Sequence, residues 1–507
     1  MNRREQPSAF MREPIRALME LQPGKALRAV LLLILSLAFF LFVRGVFSET
    51  GSESTIALLS AVCAAALIVG LWRQCGRQPL MVLLCAALAM LLCVGAHLSL
   101  LSIRPGRMTR VLIPLMDELW NYDLPVAMAW EADRWSAGYL IVMALFSRLE
   151  TFPALYAVKL LDLVCLSAAA LAVSHMAKRR GAGTAGIIAA AVLSLMLPTV
   201  LLNAGMWAQC DAVFAAFAMW GLALVLEDHP LGGCILWGIA LAFKLQSAFL
   251  FPLLIPLFFA RKTGIRHIAL IAAVFLALHA PMLANGQGLA SVLGRYNDQI
   301  LIETYGALPQ DTEDEAEGET EETQEEPADE TAEEETAEAG ASEPTVYLHE
   351  GLASHAPSVY QLMTVASVRE FSGMGLYLGI ACALLVCFLL IRYAPDSEDT
   401  WLTAALLLSC GLPVILPQMN ARCLYLAGLL SLTRLGKPLH CLQAAVLEAI
   451  SLCSYMEAIF SGGTQLVYML PMPVLSLLLI AVSLSLAWEL AAETAGRKAK
   501  EAGYGAG

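Results

Sequence analysis

Long apolar runs separated by short polar turns recur along almost the whole chain. A helix needs about 20 apolar residues to cross the hydrocarbon core of a bilayer. Runs near that length occupy residues 26–47, 55–72, 79–101, 154–177, 182–202, 211–226, 267–284, 373–391, 400–416, 423–435, 439–460 and 466–490, and two shorter legs share residues 231–260. The pattern predicts an all-α, polytopic transmembrane protein of about 12–14 helices.

Composition agrees with this class. Of the 507 residues, 58% are hydrophobic and 15% are charged, which is typical of an integral membrane protein and excludes a set of soluble domains. The net charge of -13 comes mostly from one acidic run at residues 311–343. Such a run cannot bury enough apolar surface to offset the entropy of ordering, so we expect residues 309–345 to form a disordered insertion.

The distribution of basic residues predicts the topology. Clusters of Lys and Arg near residues 73–77, 178–180, 261–266, 434–437 and 497–498 fall on the side of the basic N-terminal segment. By the positive-inside rule that side is cytoplasmic, together with both termini. The first apolar run lacks a small-residue cleavage site, so we expect it to remain as an anchor in the plasma membrane. The active face is then extracytoplasmic.

The same pattern divides the chain into six segments. They are N-terminal transmembrane helices (1–101), a first extracytoplasmic loop with interfacial helices (102–153), central transmembrane helices (154–284), a large extracytoplasmic loop with the acidic insertion (285–372), C-terminal transmembrane helices (373–490) and a cytoplasmic tail (491–507).

Polar residues concentrate where the run at 182–202 passes into the run at 211–226. Asn203, Trp207, Gln209 and Asp211 lie at this turn. An acid at a membrane edge costs free energy unless it is paired or used, so Asp211 is a candidate active-site acid, although Asp also serves well as a helix cap. The first loop supplies three further candidate acids on the same face: Asp117, Asp123 and Asp133.

Several short motifs together resemble one set of enzymes. They are a W-x-Q-x-D turn (207–211), a G-x-x-L-A-x-K-x-Q segment (238–246), an A-P-S-V-Y-Q-L element (356–362) and a late L-P-x-M turn (416–419). From about residue 111 to 432 the chain is similar to the GT-C-fold membrane glycosyltransferases, specifically the bacterial relatives of GPI mannosyltransferase II. The resemblance implies a GT-C fold, a polyprenyl-phosphate-linked sugar as donor and inversion at the anomeric carbon.

The resemblance also implies roles for particular residues. Asp211 matches a catalytic acid. Lys244, Gln246, Arg422 and Asn420 fall where the donor's lipid phosphate would be bound, while Trp207, Gln209, Asn203 and Tyr360 fall at substrate-binding positions.

The chain departs from the family's pattern at two places. Residues 105–108 read Pro-Gly-Arg-Met where the family has its first catalytic Asp, and the late turn keeps Arg422 but lacks the expected His and Glu. Asp117, Asp123 or Asp133 would have to replace the missing base, and a catalytically altered relative stays open.

Other functions also stay open at this level. Intramembrane ionisable residues such as Lys244, Glu448 and Glu457 would suit a lipid or solute transporter, and the acidic insertion would suit a non-catalytic scaffold of a cell-envelope glycan assembly complex. Nucleic-acid binding has no support, because no basic patch with interleaved aromatics occurs outside the predicted cytoplasmic rims.

The sequence leaves the chemistry of the substrates open. A divalent metal near Asp211 has oxygen ligands available, but no acid pair has clear coordination spacing, so no metal ligand is assigned. Neither the sugar nor the acceptor, a lipid-linked or polymeric glycan, follows from the residues.

Overall fold

The computed structural model describes residues 21, 23–104, 112–130, 136–149, 152–296, 353–363, 368–393, 397–460 and 470–504. The predictions for Asp133, for the departure at residues 105–108 and for the acidic insertion at 309–345 lie outside these residues.

The described part of the chain is built from helices. These are α1 (Lys25–Val46), α2 (Glu53–Cys75), α3 (Leu80–Ser99), α4 (Ile113–Trp120), α5 (Leu124–Met128), α6 (Ala137–Phe146), α7 (Ala154–Arg179), α8 (Thr184–Met196), α9 (Pro198–Trp207), α10 (Asp211–Leu226), α11 (Pro230–Phe243), α12 (Leu245–Phe259), α13 (Ile265–Leu278), α14 (Ala280–Ala284), α15 (Val368–Tyr393), α16 (Glu398–Ile415), α17 (Tyr425–Leu432), α18 (Pro438–Phe460) and α19 (Met472–Tyr504). Two-residue strands β1 (Ala353–Ser354) and β2 (Met419–Asn420) pair in parallel.

The predicted all-α, polytopic class is confirmed. In the described part, eight helices are long and apolar enough to cross a membrane, or nine if the bent pair α8 and α9 counts as one span. Five further apolar helices are shorter: α6, α10, α11, α12 and α13. The predicted 12–14 helices included four of these, α10 to α13, because hydrophobicity alone does not show where a run is broken. Helix α6 lies in the segment that was predicted as a first extracytoplasmic loop with interfacial helices.

Helix α7 lies at the centre of the bundle. It packs against α2, α8 and α10, and it is the most buried of the eight spans. Helix α1, by contrast, has only 11% of its apolar window buried, so its surface is left for lipid. Close contact between α10 and α11 depends on two glycines: a Cβ at Gly221 would lie 2.4 Å from Trp237, and one at Gly233 would lie 2.7 Å from the Gly221 carbonyl oxygen.

The chain bends by 40° between α8 and α9, where Pro198 follows Leu197. The first amide of a helix after such a break has no intrahelical acceptor. Glu448 of α18 supplies one: its carboxylate accepts hydrogen bonds from the Thr199 backbone N–H and hydroxyl, both at 2.9 Å. The sequence offered no partner for Glu448. In the structure its carboxylate is the hydrogen-bond acceptor for the start of α9, directly after the bend.

Glu448→Leu is therefore expected to destabilise the protein by about 1–3 kcal/mol, because it leaves two donors of Thr199 unsatisfied. Thermal unfolding in detergent would measure the loss. Glu457→Gln on the same helix is the matched control. Glu457 only approaches His355 at 3.7 Å and is partly exposed, so we expect a change within about 0.5 kcal/mol. Equal stability of both variants would contradict the role assigned to Glu448.

The last turns of α9 contain Asn203 and Trp207, two of the predicted site residues. Residues Leu201–Trp207 form a π-helix, which ends at Ala208 in the left-handed conformation with φ 54°. π-Helical turns shift side chains relative to the regular helix and are frequent at functional sites. Here the shift places Asn203 inside the bundle, and the left-handed Ala208 turns the chain so that Gln209 is also buried.

Candidate functional site

Asp211 opens α10 and is completely buried. Its carboxylate contacts three side chains that come from other parts of the chain. Lys244 Nζ forms an ion pair with Oδ1, Asn203 Nδ2 donates a hydrogen bond to Oδ2 at 2.6 Å, and Arg422 Nη1 lies 3.7 Å from Oδ2. The structure thus brings together four of the residues that the sequence predicted for the site.

Each partner is aimed at Asp211 by a local break in regular structure. Lys244 has an extended backbone, φ -156° and ψ 132°, between the end of α11 and the 3-10 turn that begins α12. Arg422 lies in the turn after β2, where its backbone N–H donates to Asn420 Oδ1 at 2.9 Å. Because the backbone is irregular at these two places, the charged side chains of Lys244 and Arg422 point into the bundle, although apolar helices precede and follow them in the chain.

Arg422 is held on two further sides. Its Nη1 donates to Gln209 Oε1, and its guanidinium lies 5.5 Å from the centre of the Trp207 ring. Trp207 in turn packs edge-on against Tyr455 with ring centres 6.0 Å apart, and the Tyr455 hydroxyl accepts a hydrogen bond from Asn203 at 2.9 Å. The contact with the Trp207 ring and the hydrogen bond to Gln209 Oε1 orient the guanidinium of Arg422. A guanidinium is the group best suited to bidentate binding of phosphate.

The described residues of this cluster carry charges of both signs. Lys244 and Arg422 carry two positive charges and Asp211 carries one negative charge, and all three side chains are buried. Buried charge is costly unless it is paired, and Asp211 lies close to both cations. Two cations held side by side offer charged hydrogen-bond donors to an anionic ligand. The arrangement can bind and stabilise a phosphate.

Two charged residues that the sequence analysis did not single out lie nearby on α7. Asp162 is buried, and neither of its carboxylate oxygens has a hydrogen-bond partner among the described residues. Lys159, one turn earlier, donates from Nζ to the carbonyl oxygens of Leu100 and Ile103, both at 2.7 Å. Both residues interrupt the apolar run at 154–177, and that interruption was the signal available in the sequence.

Gln246 and Asn420 lie at a different part of the site. They line a cavity of about 680 Å³ between α12, α15 and the end of α16, which we call the α15 groove. Its wall is otherwise mainly apolar, with Phe249, Leu376, Ile380 and Leu416 among its members. Gln246 is two residues from Lys244, and Asn420 bonds the backbone of Arg422, so the groove ends beside the cation cluster.

Tyr360 contacts a neighbouring backbone segment instead of the Asp211 cluster. Its hydroxyl donates to the Ile415 carbonyl oxygen at 2.7 Å and thereby fastens the segment after β1 to the end of α16. Burial raises the pKa of this hydroxyl, which keeps it a neutral donor. Its predicted substrate-binding role stays a prediction.

Two of the first-loop acids, Asp117 and Asp123, are exposed. Asp117 lies on α4 and lines a cleft of about 510 Å³, while Asp123 directly precedes α5. Within the described residues, no hydrogen bond or ion pair joins either acid to Asp211. The described part of the chain also contains no group of three or more His, Cys, Asp or Glu side chains that could hold a metal ion.

Comparison with known proteins adds no assignment: the chain matches no protein-family model and no curated protein sequence. Any statement about function therefore rests on the geometry of the site and on the motifs in the sequence.

Proposed function

We propose that this protein is a GT-C-type membrane glycosyltransferase that moves a sugar, mannose in the first instance, from a polyprenyl-phosphate donor to an extracytoplasmic lipid or glycan acceptor. One observation carries the proposal: a largely apolar groove ends beside two buried cations, Lys244 and Arg422, that both lie close to the carboxylate of Asp211. A lipid phosphate needs this combination of apolar chain site and cationic head site.

The donor's chain would lie in the α15 groove, and its phosphate would meet Lys244 and Arg422. Charge-assisted hydrogen bonds of this kind are roughly twice as strong as neutral ones, and they strengthen further as the departing phosphate gains charge in the transition state. Gln246 and Asn420 would contact the phosphate or the sugar at the mouth of the groove.

Asp211 is better placed to position the cations than to take a proton. Both of its oxygens are engaged and it has no exposed surface. In an inverting transfer the acceptor hydroxyl attacks the anomeric carbon, the bond from that carbon to the phosphate oxygen breaks, and a carboxylate takes the hydroxyl proton. We assign that proton to Asp117, because its exposed carboxylate faces an open cleft on the same predicted membrane face.

A test of the donor site uses two tryptophan substitutions on one helix. Ile380 and Leu384 of α15 are similarly exposed, at 48% and 53%, but only Ile380 lines the groove. Ile380→Trp is expected to raise the donor KM about tenfold, which corresponds to about 1.4 kcal/mol of lost binding, while Leu384→Trp leaves it unchanged. The assay is transfer of label from radiolabelled polyprenyl-phosphate mannose to extracted lipid in proteoliposomes. If the unmodified protein shows neither sugar transfer nor saturable donor binding, the proposed glycosyltransferase function is contradicted.

Transport is the second candidate, and a different observation favours it. Asp162 and Lys159 are ionisable side chains buried inside the apolar span α7, and such residues often mark ion pathways. Proton or cation flux into proteoliposomes that is lost in Asp162→Asn would favour transport, whereas sugar transfer without such flux would favour the enzyme.

A further inference from the structure

A second apolar cavity lies on another side of the bundle. It has a volume of about 450 Å³ and lies between α2, α7 and the segment after α6, so we call it the α2–α7 slot. Its wall includes Leu59 and Val164, whose side chains are 42% and 48% exposed, so the slot is open along the lipid-facing surface. An acyl or isoprenoid chain can enter it from the bilayer.

The slot continues into the cleft that contains Asp117. Phe146, Leu149 and Phe152 line both cavities, so their volumes adjoin. The outer cleft adds polar groups, among them Ser147 and the carboxylate of Asp117, together with the exposed ring of Trp120. An apolar chain site that opens directly into a polar cleft matches the two-part structure of a membrane lipid.

The charges around the cleft restrict the headgroup. Asp117 and Glu118 are exposed acids on α4, and they disfavour a phosphate. The guanidinium of Arg148 lies 5.7 Å from the centre of the Trp120 ring. Arg148 is fixed there by hydrogen bonds to the carbonyl oxygens of Leu119, Trp120 and Tyr122.

A head with hydroxyl groups suits the groups that line the cleft. A carboxylate accepts hydrogen bonds from hydroxyls, and the apolar face of a sugar packs well on an exposed indole ring. We propose that the α2–α7 slot and the outer cleft form a second lipid site for a glycolipid with a neutral, hydroxylated headgroup. This inference rests on the proposed function in that such a lipid would be the acceptor, with its hydroxyl beside Asp117.

This site is separate from the α15 groove. The two share no lining residue. Helix α7, which lines the slot, packs against α10, and α10 carries Asp211 at its start. Donor and acceptor would thus occupy different cavities, so occupation of one site does not exclude occupation of the other.

The test uses the purified full chain in phosphatidylcholine nanodiscs with two photoreactive lipids. Both carry the same diazirine-bearing chain; one has a neutral hexose head and the other a phosphate head. We expect the hexose lipid to label residues of the slot and cleft, and the phosphate lipid to label them at least about fivefold less, a difference of about 1 kcal/mol.

Two matched tryptophan substitutions test where the apolar chain of the lipid lies. Val164→Trp would fill the slot from its open side, whereas Leu92→Trp places the same side chain on α3, away from the slot, at a position that is 74% exposed. Labelling by the hexose lipid should fall about fivefold or more with the first variant and stay unchanged with the second. Asp117→Asn tests the head: it should bring the labelling by the two lipids closer together.

Each result has a definite meaning. Equal labelling by both lipids in the unmodified protein, or labelling that Val164→Trp does not reduce, would overturn the second site. If the slot is labelled selectively but no sugar is transferred, the glycolipid site stands and the proposed function falls. If sugar is transferred and Val164→Trp leaves the acceptor KM unchanged, the proposed function stands and the slot is not the acceptor site.

Discussion

Asp211→Asn is expected to abolish sugar transfer and to lower the free energy of unfolding by about 3–5 kcal/mol. The carboxylate is fully buried and is the anionic partner of both Lys244 and Arg422. Asparagine has nearly the same shape but no charge, so both buried cations would lose the negative charge that Asp211 places beside them. Their mutual repulsion would displace the groups that are proposed to bind the donor phosphate.

Denaturation in mixed micelles would measure stability, and the proteoliposome assay would measure transfer. The double variant Asp211→Asn, Lys244→Met is the informative control, because it removes one cation together with the acid. It should recover a large part of the lost stability while transfer stays absent. Retained transfer in Asp211→Asn would contradict both a catalytic and a positioning role for this residue.

Arg422→Gln is expected to weaken donor binding about 100-fold, in line with the 2–5 kcal/mol that a buried, hydrogen-bonded charge pair commonly loses when one partner is removed. Stability should change less than in Asp211→Asn, since Lys244 and Asp211 remain as a neutral pair. Arg422→Lys keeps the charge but loses the planar fork, so we expect an intermediate affinity.

Binding of a fluorescent polyprenyl-phosphate sugar to the protein in nanodiscs would give these affinities. Arg179→Gln is the matched arginine control. Arg179 pairs with Glu227 and Glu398, away from the Asp211 cluster, and its removal should leave donor binding unchanged. Unaltered donor affinity in Arg422→Gln would place the phosphate elsewhere.

Much of the architecture could be predicted because membrane helices follow directly from hydrophobicity. Runs such as 26–47, 154–177 and 439–460 became α1, α7 and α18 with small shifts of their ends. Every backbone polar group in the bilayer core must be satisfied within its own segment, so a long apolar run has few alternatives to a helix. The short legs were harder, since their ends depend on breaks that packing stabilises.

The motif at 203–211 also indicated where polar groups would gather, and the structure places Lys244 and Arg422 against it. What the sequence could not supply was the pairing itself. Asp211 and Arg422 are far apart in the chain, and only the packing of helices brings them to 3.7 Å. The same holds for Glu448 and Thr199, whose hydrogen bonds join α18 to the break before α9.

The amino-acid sequence by itself determined the class of protein, the long spans and the position of the polar turn, because hydrophobic length acts locally along the chain. The tertiary structure decided which charges are paired, that Asp211 is sealed from solvent, and that two separate lipid-sized cavities flank the bundle. These features arise where several helices meet, and the free energy of such contacts depends on distances that no single segment specifies.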